Sequence, residues 1–115
     1  MDHDSLYPLP DVENSKKRAA LAPEIIDTWR TFSRTVYQEG ALSEKTKQLI
    51  AVAVAHVTQC PYCIRAHTRI AMRKGATKQE IMEAVWVAAE MRAGAGYSHS
   101  ILAMDEMEKV ESSAK

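Results

Sequence analysis

From Pro23 onward the apolar residues Ile25, Ile26, Trp29, Phe32 and Val36 recur at three- and four-residue steps, with Ser33 in the same stripe, until Gly40. This spacing predicts an amphipathic helix with proline in its first turn and glycine just past its end. Ser43 is placed to cap a second helix running through His56 or Val57. Pro61 opens a third, which Gly75 closes. Thr77-Lys78-Gln79-Glu80 has the form of a capping box and starts a fourth helix reaching about Arg92. Gly94 and Gly96 then read as a break before a last helix, roughly Tyr97 to Val110.

The apolar run from Leu49 to Val57 fits a buried strand as well as a buried helix. A strand leading into Cys60-Pro61-Tyr62-Cys63 would suggest a thioredoxin-like βαβ unit. The run continues the helical pattern begun at Ser43, however, and no later segment offers partner strands, so an all-α domain is expected. Its plan is a single domain over residues 1–115 with about five to six helices, an N-terminal arm over 1–12 and a tail over 111–115. Along the fourth helix Ile81, Val85 and Ala88 form one apolar stripe, while Met82, Trp86, Val87, Ala89 and Met91 carry apolar character round most of the circumference. A helix of that kind needs burial on nearly all sides, and association with copies of the same chain is the expected solution.

Composition narrows the function classes. The 115 residues are 46% hydrophobic and 26% charged, enough for one ordinary core. Fifteen basic residues balance fifteen acidic ones, so no global field favours nucleic acid or an anionic membrane surface. The longest apolar run, Leu49 to Ala55, is far shorter than the roughly 20 residues of a membrane span. Acidic residues at Asp2 and Asp4 stand where a secretory signal would carry a basic region, and a cytoplasmic location is expected.

The candidate chemistry is concentrated at Cys60 and Cys63, the only two cysteines, with His67 four residues later. If Pro61 opens a helix, both thiols share its first turn, within disulfide reach, and His67 follows one turn on along the same face. A free thiol is a weak nucleophile at neutral pH, and three features here favour the thiolate: the helix N-terminus, His67, and His56 four residues before Cys60. Arg65, Arg69 and Arg73 line the opposite face of that helix and read as a solvated surface. Two alternatives leave the dithiol without turnover: a redox-sensing module, and tetrahedral zinc held by His56, Cys60, Cys63 and His67. All four of those ligands fall within twelve residues, whereas zinc sites ordinarily pair two knuckles across a loop, so no metal and no other cofactor is expected.

Three motifs together carry a family resemblance: Leu42-Ser43-x-Lys45-Thr46-Lys47-Gln48-Leu49-Ile50, then Cys60-x-Tyr62-Cys63-x3-His67, then Gly75-Ala76-Thr77-x2-Glu80-Ile81-x-Glu83-Ala84. Over about residues 22–105 the chain resembles the carboxymuconolactone decarboxylase superfamily, in its alkylhydroperoxidase D-like branch. The resemblance implies an all-helical fold, trimers or hexamers, and a thiol-dependent peroxidase or disulfide reductase acting on a hydroperoxide or disulfide, with an external thiol reductant. It assigns attack on peroxide to Cys63 and resolution of the sulfenic acid to Cys60. This chain departs from that branch in carrying Gln48 for a glutamate and Tyr62 for a histidine. The proton relay is therefore expected to use His67 and His56, with Glu44, Glu80 or Glu83 as orienting groups, Gln48 and Tyr62 as further residues around them, and His99 entering from a neighbouring helix or subunit. The lactone decarboxylation that names the superfamily is the alternative reaction, and it would leave the cysteine pair without a role.

Overall fold

The protein, described over residues 6–113 in a computed structural model, is all-helical, and no strand occurs among the described residues. Five helices follow one another: α1 (Val12–Leu21), α2 (Pro23–Tyr37), α3 (Glu44–Thr58), α4 (Pro61–Arg73) and α5 (Lys78–Ser113). They belong to two compact units that divide between Lys47 and Gln48. No helix among the described residues is long and apolar enough to cross a membrane.

In the first unit α1 is an addition to the expected plan, since its first residue, Val12, falls inside the expected arm. Asp11 caps it, with Oδ1 accepting the Asn14 N–H at 2.6 Å. The helix buries no residue, and its run Glu13-Asn14-Ser15-Lys16-Lys17-Arg18 has no apolar period to announce it. Residues 1–5 of the expected arm lie outside the described residues. Helix α2 starts at Pro23 as its pattern requires, but ends at Tyr37, short of Gly40. Lys47 meets that end of the helix. Its Nζ donates to the carbonyls of Val36 and Gln38 at 2.8 and 2.6 Å, placing a cation on the negative end of the helix.

In the second unit the remainder of α3 meets α4 and the first half of α5. Val52 and Ala71 are fully buried, Ala76 and Ile81 nearly so, and Leu49 and Val85 pack against them. The ends of these helices follow local chemistry. Ser43 Oγ accepts the Thr46 N–H at 3.1 Å, and Thr77 and Glu80 exchange the two bonds of a capping box at 2.9 and 3.0 Å. Gly75 closes α4 with φ +96°, a left-handed conformation that suits glycine.

The expected break at Gly94 and Gly96 is absent: α5 is one helix of 36 residues, and residues 111–113 of the expected tail form its last turn. An interior glycine weakens a helix by about 1 kcal/mol relative to alanine without forcing it to end, and no proline follows. A Cβ at Gly96 would meet nothing within 4 Å. Gly96→Ala is therefore expected to stabilise the protein by about 1 kcal/mol, read as a higher urea midpoint. A lowered midpoint would mean that another group closes on this position.

Candidate functional site

The turn between α3 and α4 presents the dithiol. Gln59 stands at φ +58°, the left-handed residue that ends α3, and costs about 1 kcal/mol because it is not glycine. The Cys60 N–H then donates back to Ala55 O at 3.1 Å, closing a Schellman-type end. Arg92, reaching from α5, donates to Val57 O at 2.9 Å and holds the last turn of α3 from outside. Cys60 is thus the residue where α3 finishes and α4 begins.

As the N-cap of α4, Cys60 is extended (φ −99°, ψ 102°), and its Sγ accepts the Cys63 N–H at 3.2 Å. Pro61 occupies the first helical turn, where its missing N–H removes no helical bond. Cys60 and Cys63 are joined as a disulfide with Cα atoms 5.3 Å apart. The expected placement of the pair at a helix start is what the structure contains. A sulfur there faces the unpaired N–H groups and positive end of the helix dipole, conditions that favour a thiolate on reduction.

His67 lies one turn beyond Cys63 on α4, half-buried, and its Nδ1 is 2.7 Å from Gln48 Oε1. Gln48 comes from α3, nineteen residues earlier, and is only 4% exposed. Gln48 is among the residues expected near the dithiol, but its bond to His67 is not foreseen by the sequence, because a glutamine cannot carry a proton and the relay is expected to use His56 and the glutamates. The signal was nonetheless present. Gln48 heads the α3 stripe that continues through Val52 to Ala55, the face buried in the fold.

Burial holds the His67 imidazole below its ordinary value of about 6.5, because desolvation disfavours the imidazolium. The unfolded chain consequently takes up the proton first as pH falls. The contribution of His67 to stability is complete above about 6.5 and is lost as pH falls from there through its lowered folded value. His67→Asn is expected to reduce the slope of stability against pH in that window, measured from urea midpoints. An unchanged slope would mean that the ring is as hydrated in the fold as outside it.

The remaining candidates are placed less directly. His56 donates from Nδ1 to Val52 O at 2.7 Å, one turn back along α3, and so rests on the backbone of its own helix. Tyr62, inside the motif, is partly exposed. Glu44 lies in the first turn of α3, where its N–H donates to Glu39 Oε2 at 2.7 Å. Glu80 accepts the Thr77 N–H and serves the start of α5. Glu83 is exposed on α5, and His99 is exposed in the uninterrupted half of that helix, after no break. No cluster of three His, Cys, Asp or Glu side chains among the described residues has the geometry to hold a metal ion.

Comparison with known proteins extends this picture. The sequence profile of the carboxymuconolactone decarboxylase family matches residues 23–106. A Paracoccus denitrificans protein, called uncharacterized protein 4 in cox locus, is 49% identical over 109 residues, covering 90% of this chain and 98% of its own. A solved structure from Methanobacterium thermoautotrophicum is similar with a TM-score of 0.73 at 32% identity, over 78% of this chain and 98% of that one. A family protein from Legionella pneumophila gives 0.67 at 30% identity, over 84% and 87%. A Thermotoga maritima family protein, for which a part in the antioxidative response has been suggested, gives 0.50 at 29% identity, over 70% and 95%.

Proposed function

This chain belongs to the carboxymuconolactone decarboxylase family, and from that premise we propose that it is a dithiol oxidoreductase of the alkylhydroperoxidase D type, reducing a hydroperoxide or a disulfide at the expense of an external thiol. The observation that carries this reading is the Cys60–Cys63 disulfide at the start of α4, with His67 one turn further along. The suggested antioxidative part of the Thermotoga maritima protein points the same way.

In the reduced protein His67 takes the Cys63 thiol proton. The Cys63 thiolate attacks one peroxide oxygen, the O–O bond breaks, and the departing alkoxide leaves as an alcohol once protonated. Cys63 is then a sulfenic acid. Cys60 Sγ attacks that sulfur and expels its oxygen as water, forming the disulfide. An external dithiol restores both thiols by two exchange steps and is itself oxidised. His56, whose Nδ1 is committed to Val52 O, offers Nε2 as a second proton carrier near Cys60. Tyr62, Glu44, Glu80, Glu83 and His99 are the further side chains that the sequence nominates for this reaction.

The functional particle in this reading is a homo-oligomer, a trimer or hexamer. Support comes from α5, where Trp86, Val87 and Met91 remain exposed although Ile81 and Ala88 of the same helix are buried. The test of the whole proposal is steady-state peroxide consumption with a dithiol donor. Turnover that depends on both donor and peroxide is the predicted result; a protein that reacts once with peroxide and never turns over would contradict it.

A further inference from the structure

Gln48 is the buried polar side chain of the core among the described residues, and its amide oxygen is 2.7 Å from His67 Nδ1. We infer that Gln48 is a positioning residue that fixes His67 as the Nδ1-protonated tautomer, so that every proton exchanged with the dithiol passes through Nε2. This consequence rests on the dithiol reaction proposed above, whereas the tautomer itself does not.

Which nitrogen of an imidazole carries the proton is set by the bond the other nitrogen makes. An amide oxygen accepts from Nδ1–H but brings no charge. A carboxylate in its place would favour the imidazolium, by about 1–3 pKa units for an opposite charge within 4–6 Å. Gln48 therefore orients the ring and leaves it neutral, in keeping with the burial that already disfavours its charged form. The proton balance closes on this arrangement. The Cys63 S–H bond breaks as an Nε2–H bond forms, and the imidazolium keeps its Nδ1–H on Gln48. Nε2 then passes that proton to the alkoxide leaving the peroxide. His67 ends neutral, and the amide never ionises.

The test is nitrogen NMR of the oxidised, full-length protein labelled at its four histidines, with the His67 signals identified by their loss in His67→Asn. In wild type, Nδ1 should show the shift of a protonated nitrogen and Nε2 that of one bearing a lone pair. Gln48→Glu, which can keep the hydrogen bond, should raise the His67 titration midpoint by about 1 unit or more and move the pH profile of turnover with it. Gln48→Leu should lose the Nδ1–H signature. A wild-type ring protonated at Nε2, or a His67 midpoint that is the same in Gln48→Glu as in wild type, would overturn the inference. Because the wild-type spectrum needs no variant to fold and no substrate, its outcome is separate from the outcome of the turnover assay.

Discussion

Cys63→Ser should reduce dithiol-dependent peroxide consumption by about 10³-fold or more, whereas Cys60→Ser should consume one equivalent of peroxide and stop. The difference follows from where the two sulfurs stand. Serine keeps the size of the side chain, but its hydroxyl does not ionise near neutral pH, and neither His67 nor the start of α4 can make it a comparable nucleophile. Cys60→Ser leaves Cys63 with its histidine one turn away, so the first oxidation proceeds and the sulfenic acid then lacks a partner thiol. Reagents that trap sulfenic acid should label Cys60→Ser after peroxide and fail to label Cys63→Ser. A Cys63→Ser protein with the wild-type rate would remove Cys63 as nucleophile. The reverse pattern, with sulfenic acid on Cys60, would exchange the two roles.

The second large effect is expected in assembly. Beyond Arg92, α5 carries Tyr97, Ile101, Leu102, Met104, Met107 and Val110 at 50–82% exposure. Fully burying one such side chain contributes about 1.5–3 kcal/mol, so several of them, covered on both copies, offset the cost of association. Ile101 and Met104 lie three residues apart, on one face of the helix. Ile101→Glu combined with Met104→Glu would place paired like charges in any interface built on this face, and is expected to shift an oligomer to the single chain in sedimentation analysis. Wild-type protein sedimenting as a monomer would contradict the assembly reading outright. An intact oligomer in the double variant would place the interface elsewhere.

Where a helix was legible in the sequence, it was legible through chemistry acting within a few residues. Pro23, Ser43, Pro61 and the Thr77–Glu80 box each act on their own first turn, and α2 to α5 start within a residue of them. The dithiol was equally local, since a Cys-x-x-Cys pair at a helix start sets its own geometry. Three features escaped because they depend on groups distant in sequence or on the sum of weak terms. Helix α1 has a cap in Asp11 but no apolar stripe, so nothing in its period separates it from an arm. The continuity of α5 through Gly94 and Gly96 reflects two glycine penalties too small to interrupt a long helix. The hydrogen bond from His67 to Gln48 and the contact of Arg92 with Val57 O join positions nineteen and 35 residues apart, which only the packing of α3, α4 and α5 brings together. The role expected of His56 meets a local competitor in the Val52 carbonyl one turn away.

The most direct measurement is made on the fully reduced protein with one equivalent of hydroperoxide and no donor, followed by intact mass and peroxide assay. The account predicts that the peroxide disappears and the chain loses the mass of two hydrogens, as Cys60 and Cys63 close into the disulfide of the structure. Peroxide left unconsumed beside two titratable thiols would contradict it.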